Sequence, residues 1–231
     1  MSISQNINKI RELIIQTELS SKRKPGSVLL LAVSKEQSTD SIKEAYQQGI
    51  EHFGENYFQE AQEKILALIN LPICWHFIGP IQSNKTKGIA KHFSWVHSID
   101  RNKTANLLNQ FRRESLPPLN VCLQINLVGE ATKSGIAPEY ANDLALEVSQ
   151  LPNLKLRGLM TIPPPQNDER AQYHLFLKLN QLMQSINQTL NLKMDTLSMG
   201  MSDDLVPAIK AGSTIIRVGR AIFGERKGNP L

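Results

Sequence analysis

The chain has 231 residues, of which 41% are hydrophobic and 20% charged, and its formal net charge is +5. This composition is ordinary for a globular protein and too polar for residence in a membrane, and no segment approaches the roughly 18 consecutive apolar residues of a membrane-spanning helix. Residues 1–6 have neither the basic start nor the apolar stretch of a secretory signal. We therefore expect a single domain over residues 1–231, located in the cytoplasm and without a membrane partner.

Neither the basic residues nor the cysteines indicate a special binding function. The densest basic cluster, Lys22–Lys24, falls at the end of the first predicted helix, where cations complement the helix dipole. No stretch interleaves basic and aromatic residues as single-strand binders do, so no nucleic-acid partner is expected. Cys74 and Cys122 each lie in an apolar, strand-like run without the Cys-x-x-Cys spacing of a redox pair or zinc site. We interpret both cysteines as core residues.

The order of the predicted elements indicates an α/β barrel. After an opening helix over about residues 3–22, eight apolar runs are predicted to be strands: Val28–Val33, His52–Gly54, Cys74–Phe77, Trp95–His97, Val121–Asn126, Leu156–Met160, Thr196–Ser198 and Thr214–Val218. The helices between them are predicted to begin near Thr39, Asn56, Lys85, Asn102, Pro138, Asn167 and Asp203. Eight strand–helix units predict closure into a (β/α)8 TIM barrel preceded by an N-terminal helix. An open doubly wound sheet is the alternative, although no Gly-x-Gly-x-x-Gly follows the first strand.

The first strand carries the most informative residue. Six apolar residues are followed, after Ser34, by Lys35, and lysine is among the residues least often buried without a partner. A desolvated ammonium has a lowered pKa, and its neutral amine can attack a carbonyl, which is the chemistry that aldehyde cofactors use. The alternative is that Lys35 only marks the exit of the strand to solvent.

Other polar residues fall at the carboxyl ends of the last strands, where barrel enzymes place their sites. The loop Ser198–Ser202 contains a glycine between a strand and a helix start, a junction that presents backbone N–H groups to an anion, and Gly219 lies in a second such turn. This pattern predicts a phosphate site, with an ordinary helix N-cap as the alternative for Ser202. Arg217 is expected to enter the barrel mouth, either opposite a pyridine nitrogen or in a salt bridge to a nearby carboxylate.

His76, His97 and Asn56 have simpler interpretations as well. Imidazoles at barrel strand ends are common metal ligands, but none of the five histidines shows the paired spacing typical of barrel hydrolases. We therefore interpret His76 and His97 as hydrogen-bonded pocket or core residues, and we expect no metal. On position alone, Asn56 is readily interpreted as the N-cap of the helix that is predicted to begin near it.

Seven short motifs, taken together, resemble one known family. They are Ala32–Lys35, Phe53–Tyr57, Trp75–Gly79, His97–Asp100, Gly158–Met160, Ser198–Ser202 and Arg217–Gly219. In this order they resemble the small pyridoxal-phosphate-binding proteins implicated in vitamin B6 homeostasis, whose barrel is similar to the N-terminal domain of alanine racemase. The resemblance implies a fold type III, pyridoxal phosphate (PLP)-binding barrel that is monomeric or weakly associating.

The resemblance also implies roles for individual residues. Lys35 would form the Schiff base with PLP, and Arg217 would face the pyridine nitrogen. The phosphate would be surrounded by the residues of two loops, Ser198, Met199, Gly200, Ser202 and Gly219. The rest of the pocket would be lined by Asn56, His76, Ser98 and Met160. This chain departs from the family at Arg220, where a small hydroxyl residue, usually Thr, is expected, so direct phosphate contact by residue 220 is in doubt.

Two functions follow from the resemblance. The first is a carrier or regulator in PLP homeostasis that holds the cofactor as a lysine aldimine, without robust catalysis, and whose candidate partners are PLP-dependent apo-enzymes. The second is a fold type III amino-acid racemase or decarboxylase. A racemase needs a second acid or base opposite the lysine, which alanine racemase takes as a Tyr from an added C-terminal domain, whereas no Tyr follows Tyr173 here and seven residues follow Gly224. We expect the carrier; a metal-dependent barrel hydrolase is a distant third.

Overall fold

Eight parallel strands close into a barrel in a computed structural model that describes residues 2–129, 134–166 and 168–224. The strands are β1 Leu29–Val33, β2 His52–Glu55, β3 Cys74–Phe77, β4 Trp95–Ile99, β5 Leu119–Gln124, β6 Leu154–Met160, β7 Thr196–Ser198 and β8 Ile215–Val218. Each strand pairs with the next, and β8 pairs with β1 through the register Leu29↔Ile215 to Ala32↔Val218. The predicted barrel is confirmed, and the open doubly wound sheet is wrong.

Helices connect the strands and surround the barrel. They are α1 Ile3–Ser20, α2 Thr39–Gln47, α3 Phe58–Ala67, α4 Thr86–His92, α5 Asn102–Phe111, α6 Ala141–Ser149, α7 Glu169–Leu190, α8 Leu205–Lys210 and α9 Arg220–Phe223. Two short 3-10 helices, Ser83–Lys85 and Pro138–Tyr140, precede α4 and α6. The first helix is the predicted N-terminal helix. No helix in the described part of the chain is long and apolar enough to cross a membrane.

Side-chain caps mark the starts of α1, α2 and α7, and three helix starts differ from the prediction. Ser38 caps α2, which begins at Thr39 as predicted, because the Ser38 hydroxyl accepts a hydrogen bond from the Ser41 amide. α3 begins two residues after Asn56 and α8 two residues after Asp203, whereas Pro138 starts a 3-10 turn rather than α6. The predicted start at Asn167 lies outside the described residues.

The segment between α1 and β1 is fixed by the buried carboxylate of Glu18. It accepts hydrogen bonds from the Gly26 amide at 3.0 Å, the Ser27 hydroxyl at 3.0 Å and the Val28 amide at 2.8 Å. Arg23 donates to the carbonyls of Ile209 at 2.8 Å and Ser213 at 2.7 Å, at the end of α8. Arg23 therefore joins α1 to the last unit of the barrel, a role beyond the dipole interaction inferred from the sequence.

Gly158 provides a test of the packing between β6 and β7. A Cβ atom there would lie 1.7 Å from the Thr196 carbonyl oxygen, which belongs to the backbone of the neighbouring strand. We expect Gly158→Ala to lower the free energy of unfolding by about 3 kcal/mol, at the upper end of overpacking costs, as measured by urea denaturation.

Gly26→Ala is the control, because that glycine has a φ of +80° but nothing within 4 Å of the added Cβ. It should cost about 1 kcal/mol of left-handed strain. Equal losses in the two variants would show that the strands separate easily at Gly158.

Candidate functional site

A cavity of about 530 Å³ opens at the C-terminal end of the barrel. It is lined by residues at or just after the C-terminal ends of six of the eight strands: Val33, Lys35, Asn56, Ile78, Ile162, Met201, Ser202, Asp203, Arg217, Gly219 and Arg220. Five of the predicted cofactor-binding residues, Lys35, Asn56, Ser202, Arg217 and Gly219, thus meet in one cavity. The lining combines apolar side chains with three cationic side chains and the Asp203 carboxylate, and such a mixed lining is typical of small-molecule sites.

Lys35 lies in the turn directly after β1 and is partly exposed at the cavity wall rather than fully buried. The buried lysine of this region is Lys64 on α3, whose ammonium donates to the Ser34 carbonyl at 2.6 Å. The same ammonium pairs with Glu55 at 2.9 Å and Glu60 at 2.5 Å. Lys64 therefore holds the backbone immediately before Lys35. The only signal of this role in the sequence is the i, i+4 spacing of Glu60 and Lys64.

Glu55 completes this buried network. One of its oxygens accepts a hydrogen bond from the Ser34 hydroxyl at 2.6 Å and the Lys64 ammonium. Burial raises the pKa of the Glu55 carboxyl, and the Lys64 charge opposes that shift. Removing the ammonium would leave a buried carboxylate without its counter-charge.

Asn56 faces the cavity and does not cap α3, since that helix begins at Phe58 with Tyr57 in the cap position. The N-cap interpretation is therefore wrong. The Asn56 backbone crosses close over Gly79, where a Cβ atom would lie 2.1 Å from the Asn56 carbonyl oxygen. The side-chain oxygen of Asn56 is buried and has no hydrogen-bond partner among the described residues, so it can accept a hydrogen bond from a ligand.

Arg217 enters the barrel mouth as predicted, and it is buried. Its guanidinium donates to the Ser198 carbonyl at 2.6 Å, the Ser198 hydroxyl at 2.8 Å and the Thr161 carbonyl at 2.9 Å. Burial lowers the pKa of Arg217 to about 10, so the group stays charged at neutral pH. No salt bridge joins it to a carboxylate within the described ranges, and two of its five N–H groups stay available to a ligand.

A chain of hydrogen bonds runs from Arg217 through the barrel interior to its N-terminal end. The Ser198 hydroxyl lies 2.7 Å from His97 Nδ1, and His97 Nε2 lies 2.9 Å from His76 Nδ1. His76 Nε2 in turn lies 2.9 Å from His52 Nδ1. Burial lowers the pKa of His97 to about 3 and that of His76 well below its usual value, so both rings are neutral at pH 7.

The donors in this chain have a defined direction. The Ser198 oxygen accepts from Arg217, which can only donate. Among the contacts of the described residues, the sole acceptor for the Ser198 hydroxyl proton is His97 Nδ1. His97 must then donate from Nε2 to His76, and His76 from Nε2 to His52, so all three rings are protonated on Nε2.

The remaining predicted cofactor contacts do not line the cavity. His76, Ser98, Met160, Ser198 and Met199 are buried behind its wall, and Gly200 accepts the Arg217 amide at 3.0 Å through its carbonyl. Ser98 donates to the Gly79 carbonyl at 2.6 Å, beneath the Asn56 backbone. Direct contact of these residues with a cofactor remains a prediction, and the geometry gives several of them supporting positions.

The cavity rim contains an ion pair that the sequence did not predict. The guanidinium of Arg220, the first residue of α9, lies 3.3 Å from the Asp203 carboxylate, and both side chains are exposed. Asp204, not Ser202, occupies the N-cap position of α8, so the N-cap interpretation of Ser202 is wrong. Ser202 instead lines the cavity beside this pair.

Comparison with known proteins identifies the family. The model for the alanine racemase N-terminal domain matches residues 3–227. The chain is 53% identical over 225 residues to the pyridoxal phosphate homeostasis protein of Pseudomonas aeruginosa, covering 97% of this chain and 96% of the relative. The chain belongs to the pyridoxal phosphate homeostasis protein family. Its relative in Escherichia coli K12 is 44% identical over 227 residues, with 97% of each chain covered.

Solved structures agree with this assignment. PipY of Synechococcus elongatus PCC7942, solved with PLP bound, is 35% identical with a TM-score of 0.86, and the match covers 96% of this chain and 100% of PipY. An alanine racemase of Clostridium difficile 630 is similar at 13% identity and a TM-score of 0.73, over 95% of this chain and 60% of the racemase. That second likeness concerns the fold alone.

Lys64 offers a test of how the site is positioned. We expect Lys64→Met to lower the free energy of unfolding by about 3–5 kcal/mol, because it leaves Glu55 as an unpaired buried charge. Urea denaturation at pH 7 measures the loss. In the control Lys43→Met, an exposed pair with Asp40 at 3.2 Å is removed, which should cost about 1 kcal/mol or less. Similar losses in both variants would contradict a structural role for Lys64.

Proposed function

We propose that this protein binds PLP in the cavity at the C-terminal end of the barrel, attaches it covalently through Lys35, and acts in the cytoplasm as a carrier or regulator of the cofactor. The proposal is carried by the convergence of a lysine, a buried arginine and an unpartnered amide oxygen in one cavity. The family and the PLP bound in PipY support it.

The residues present fit the groups of PLP. When bound, PLP supplies an aldehyde carbon that condenses with the Lys35 amine, forming a C=N bond and releasing water. The Asn56 side-chain oxygen, buried without a partner among the described residues, needs a donor such as a phenolic hydroxyl. Ser202, Gly219 and the Arg220 cation lie together at the rim for the phosphate.

Arg217 would weaken amino-acid chemistry on PLP without excluding it, because arginine is one of the partners that PLP enzymes place opposite the ring nitrogen. It is held in place by three hydrogen bonds and keeps two N–H groups for a ligand acceptor such as a ring nitrogen. A guanidinium donates a hydrogen bond but does not transfer its proton at neutral pH. Arg217 would therefore keep that ring nitrogen unprotonated. An unprotonated ring is a weaker electron sink for amino-acid chemistry.

The ionisable groups of the cavity also support a non-catalytic role. Among the described lining residues these are Lys35, Asp203, Arg217 and Arg220. The two guanidiniums are poor proton carriers, and Asp203 is paired with Arg220. A two-base racemase needs an acid or base on the face opposite the lysine, and no such free group faces Lys35 within the described residues. We therefore propose slow side reactions at most, in a monomeric protein whose recipients are PLP-dependent apo-enzymes.

Borohydride reduction of the PLP-loaded protein, followed by peptide mapping, tests the attachment site. We expect label at Lys35 and none in Lys35→Ala, because the reducible C=N bond needs that amine. Phosphate-dependent binding should weaken but persist in the variant, since the rim is unchanged. Lys43→Ala is the control and should label as the wild type does. Label spread over exposed lysines would contradict the proposal.

Amino-acid turnover tests the second half of the proposal. With D- or L-alanine, we expect the PLP-loaded protein to racemise at a rate at least about 10³-fold below a typical enzyme turnover of 10 s⁻¹, because a second acid or base is lacking. Chiral chromatography of the products measures the rate. A rate near that of ordinary enzymes would favour the racemase or decarboxylase alternative.

A further inference from the structure

Three metal-ligating side chains converge at the N-terminal end of the barrel, opposite the cavity. His52 is the first residue of β2 and Cys74 the first residue of β3, and these two residues are register partners. His76, two residues along β3, points to the same side of the strand as Cys74. The ligand atoms of the three residues lie within 4.8 Å of one another.

The distances among these atoms suit a tetrahedral metal ion. Cys74 Sγ lies 3.6 Å from His76 Nε2, and His52 Nδ1 lies 2.9 Å from the same nitrogen. A tetrahedral zinc ion, bonded at about 2.1 Å to nitrogen and 2.3 Å to sulfur, holds those two atom types about 3.6 Å apart and two nitrogens about 3.4 Å apart. The Cys74–His76 distance already matches, and the two imidazole nitrogens would need to separate by roughly 0.5 Å.

The three ligand atoms can be reached by a cation from solvent. His76 is fully buried, whereas His52 and Cys74 are partly exposed, so an ion can reach the three atoms from outside. The His76 ring is stacked on Trp95, with ring centroids 5.4 Å apart and an interplanar angle of 8°. The nearby Arg157 cation, 4.8 Å above Trp95, is paired with Asp195 at 2.8 Å.

We propose that His52, Cys74 and His76 form a zinc-binding site at the N-terminal end of the barrel, with water as the fourth ligand. Two imidazoles and one thiolate are the ligand types that zinc prefers. On binding, the Cys74 thiol releases its proton to solvent, and each imidazole presents a lone pair while staying neutral. The zinc proposal does not rest on the proposed PLP function, because none of the three ligands lines the cavity.

Zinc at this site would change the hydrogen-bond chain inside the barrel. His76 now donates from Nε2 to His52, and a metal bond at Nε2 moves that proton to Nδ1. His76 would then donate to His97 Nε2, and His97 would donate from Nδ1 to the Ser198 oxygen. The tautomers of His76 and His97 therefore report zinc binding at a distance from the ion.

The test is a titration of chelator-treated, reduced full-length protein with Zn²⁺ in competition with a chromophoric chelator. We expect one tight site per chain and a loss of affinity of roughly tenfold or more in Cys74→Ser and in His52→Gln. The matched controls are Cys122→Ser, which changes the other cysteine, and His174→Gln, which removes an exposed histidine. Both should bind as the wild type does.

Two spectroscopic measurements on the wild type keep the proposal testable if a variant fails to fold. Co²⁺ in place of zinc should give a thiolate-to-metal charge-transfer band, and ¹⁵N NMR should show the His76 proton move from Nε2 to Nδ1 on adding Zn²⁺. Binding without the thiolate band, equal affinity in Cys74→Ser, or zinc held only at exposed histidines would each overturn the site.

Discussion

The candidate site depends on the buried contacts of the Lys64 ammonium. That ammonium binds the Ser34 carbonyl at the end of β1 and the Glu55 carboxylate at the end of β2. Lys35 follows the first of these groups and Asn56 follows the second. A buried ion pair adds little net stability compared with apolar packing. The contribution of this pair is to position the loops that follow β1 and β2. Two loops that would otherwise move separately are held at fixed points of the barrel wall.

The interior of the barrel is unusually polar, and the hydrogen-bond chain explains how this is tolerated. Buried polar groups are costly unless each has a partner. Arg217, Ser198, His97, His76 and His52 satisfy one another in sequence, with donors running from the arginine towards His52. Each ring stays neutral, so only the guanidinium carries charge. The chain thereby fixes Arg217 through hydrogen bonds, without a salt bridge to a carboxylate of the described residues.

Much of this architecture could be predicted from the sequence, because strand and helix periods are local properties. The strands Cys74–Phe77 and Thr196–Ser198 have the predicted bounds, and Lys35 and Arg217 line the cavity as their strand-end positions indicated. The roles of Lys64, Asp203 and Cys74 could not be predicted in this way. Each depends on a contact between different barrel units, as in the Arg220–Asp203 pair, and single-strand patterns do not encode such contacts. The spacing of the histidines alone also does not reveal Cys74 and His76, which form the same i, i+2 pair with one thiol.

The hydrogen-bond chain connects the two ends of the barrel, so that the direction of donation at one end determines the direction at the other. The directions of its donors are set at one end by Arg217, which can only donate, and at the other by whatever His76 Nε2 faces. A metal ion at that nitrogen would require the opposite direction, leaving the Ser198 oxygen to accept from both His97 and Arg217 and its own proton to find a new acceptor. Arg217 donates to that oxygen in either direction, so the reversal affects the Ser198 proton and not the arginine. Since coupling between two sites is reciprocal, any effect of zinc on the affinity of the cavity ligand would be matched by an equal effect of that ligand on the affinity for zinc, although the two share no contact.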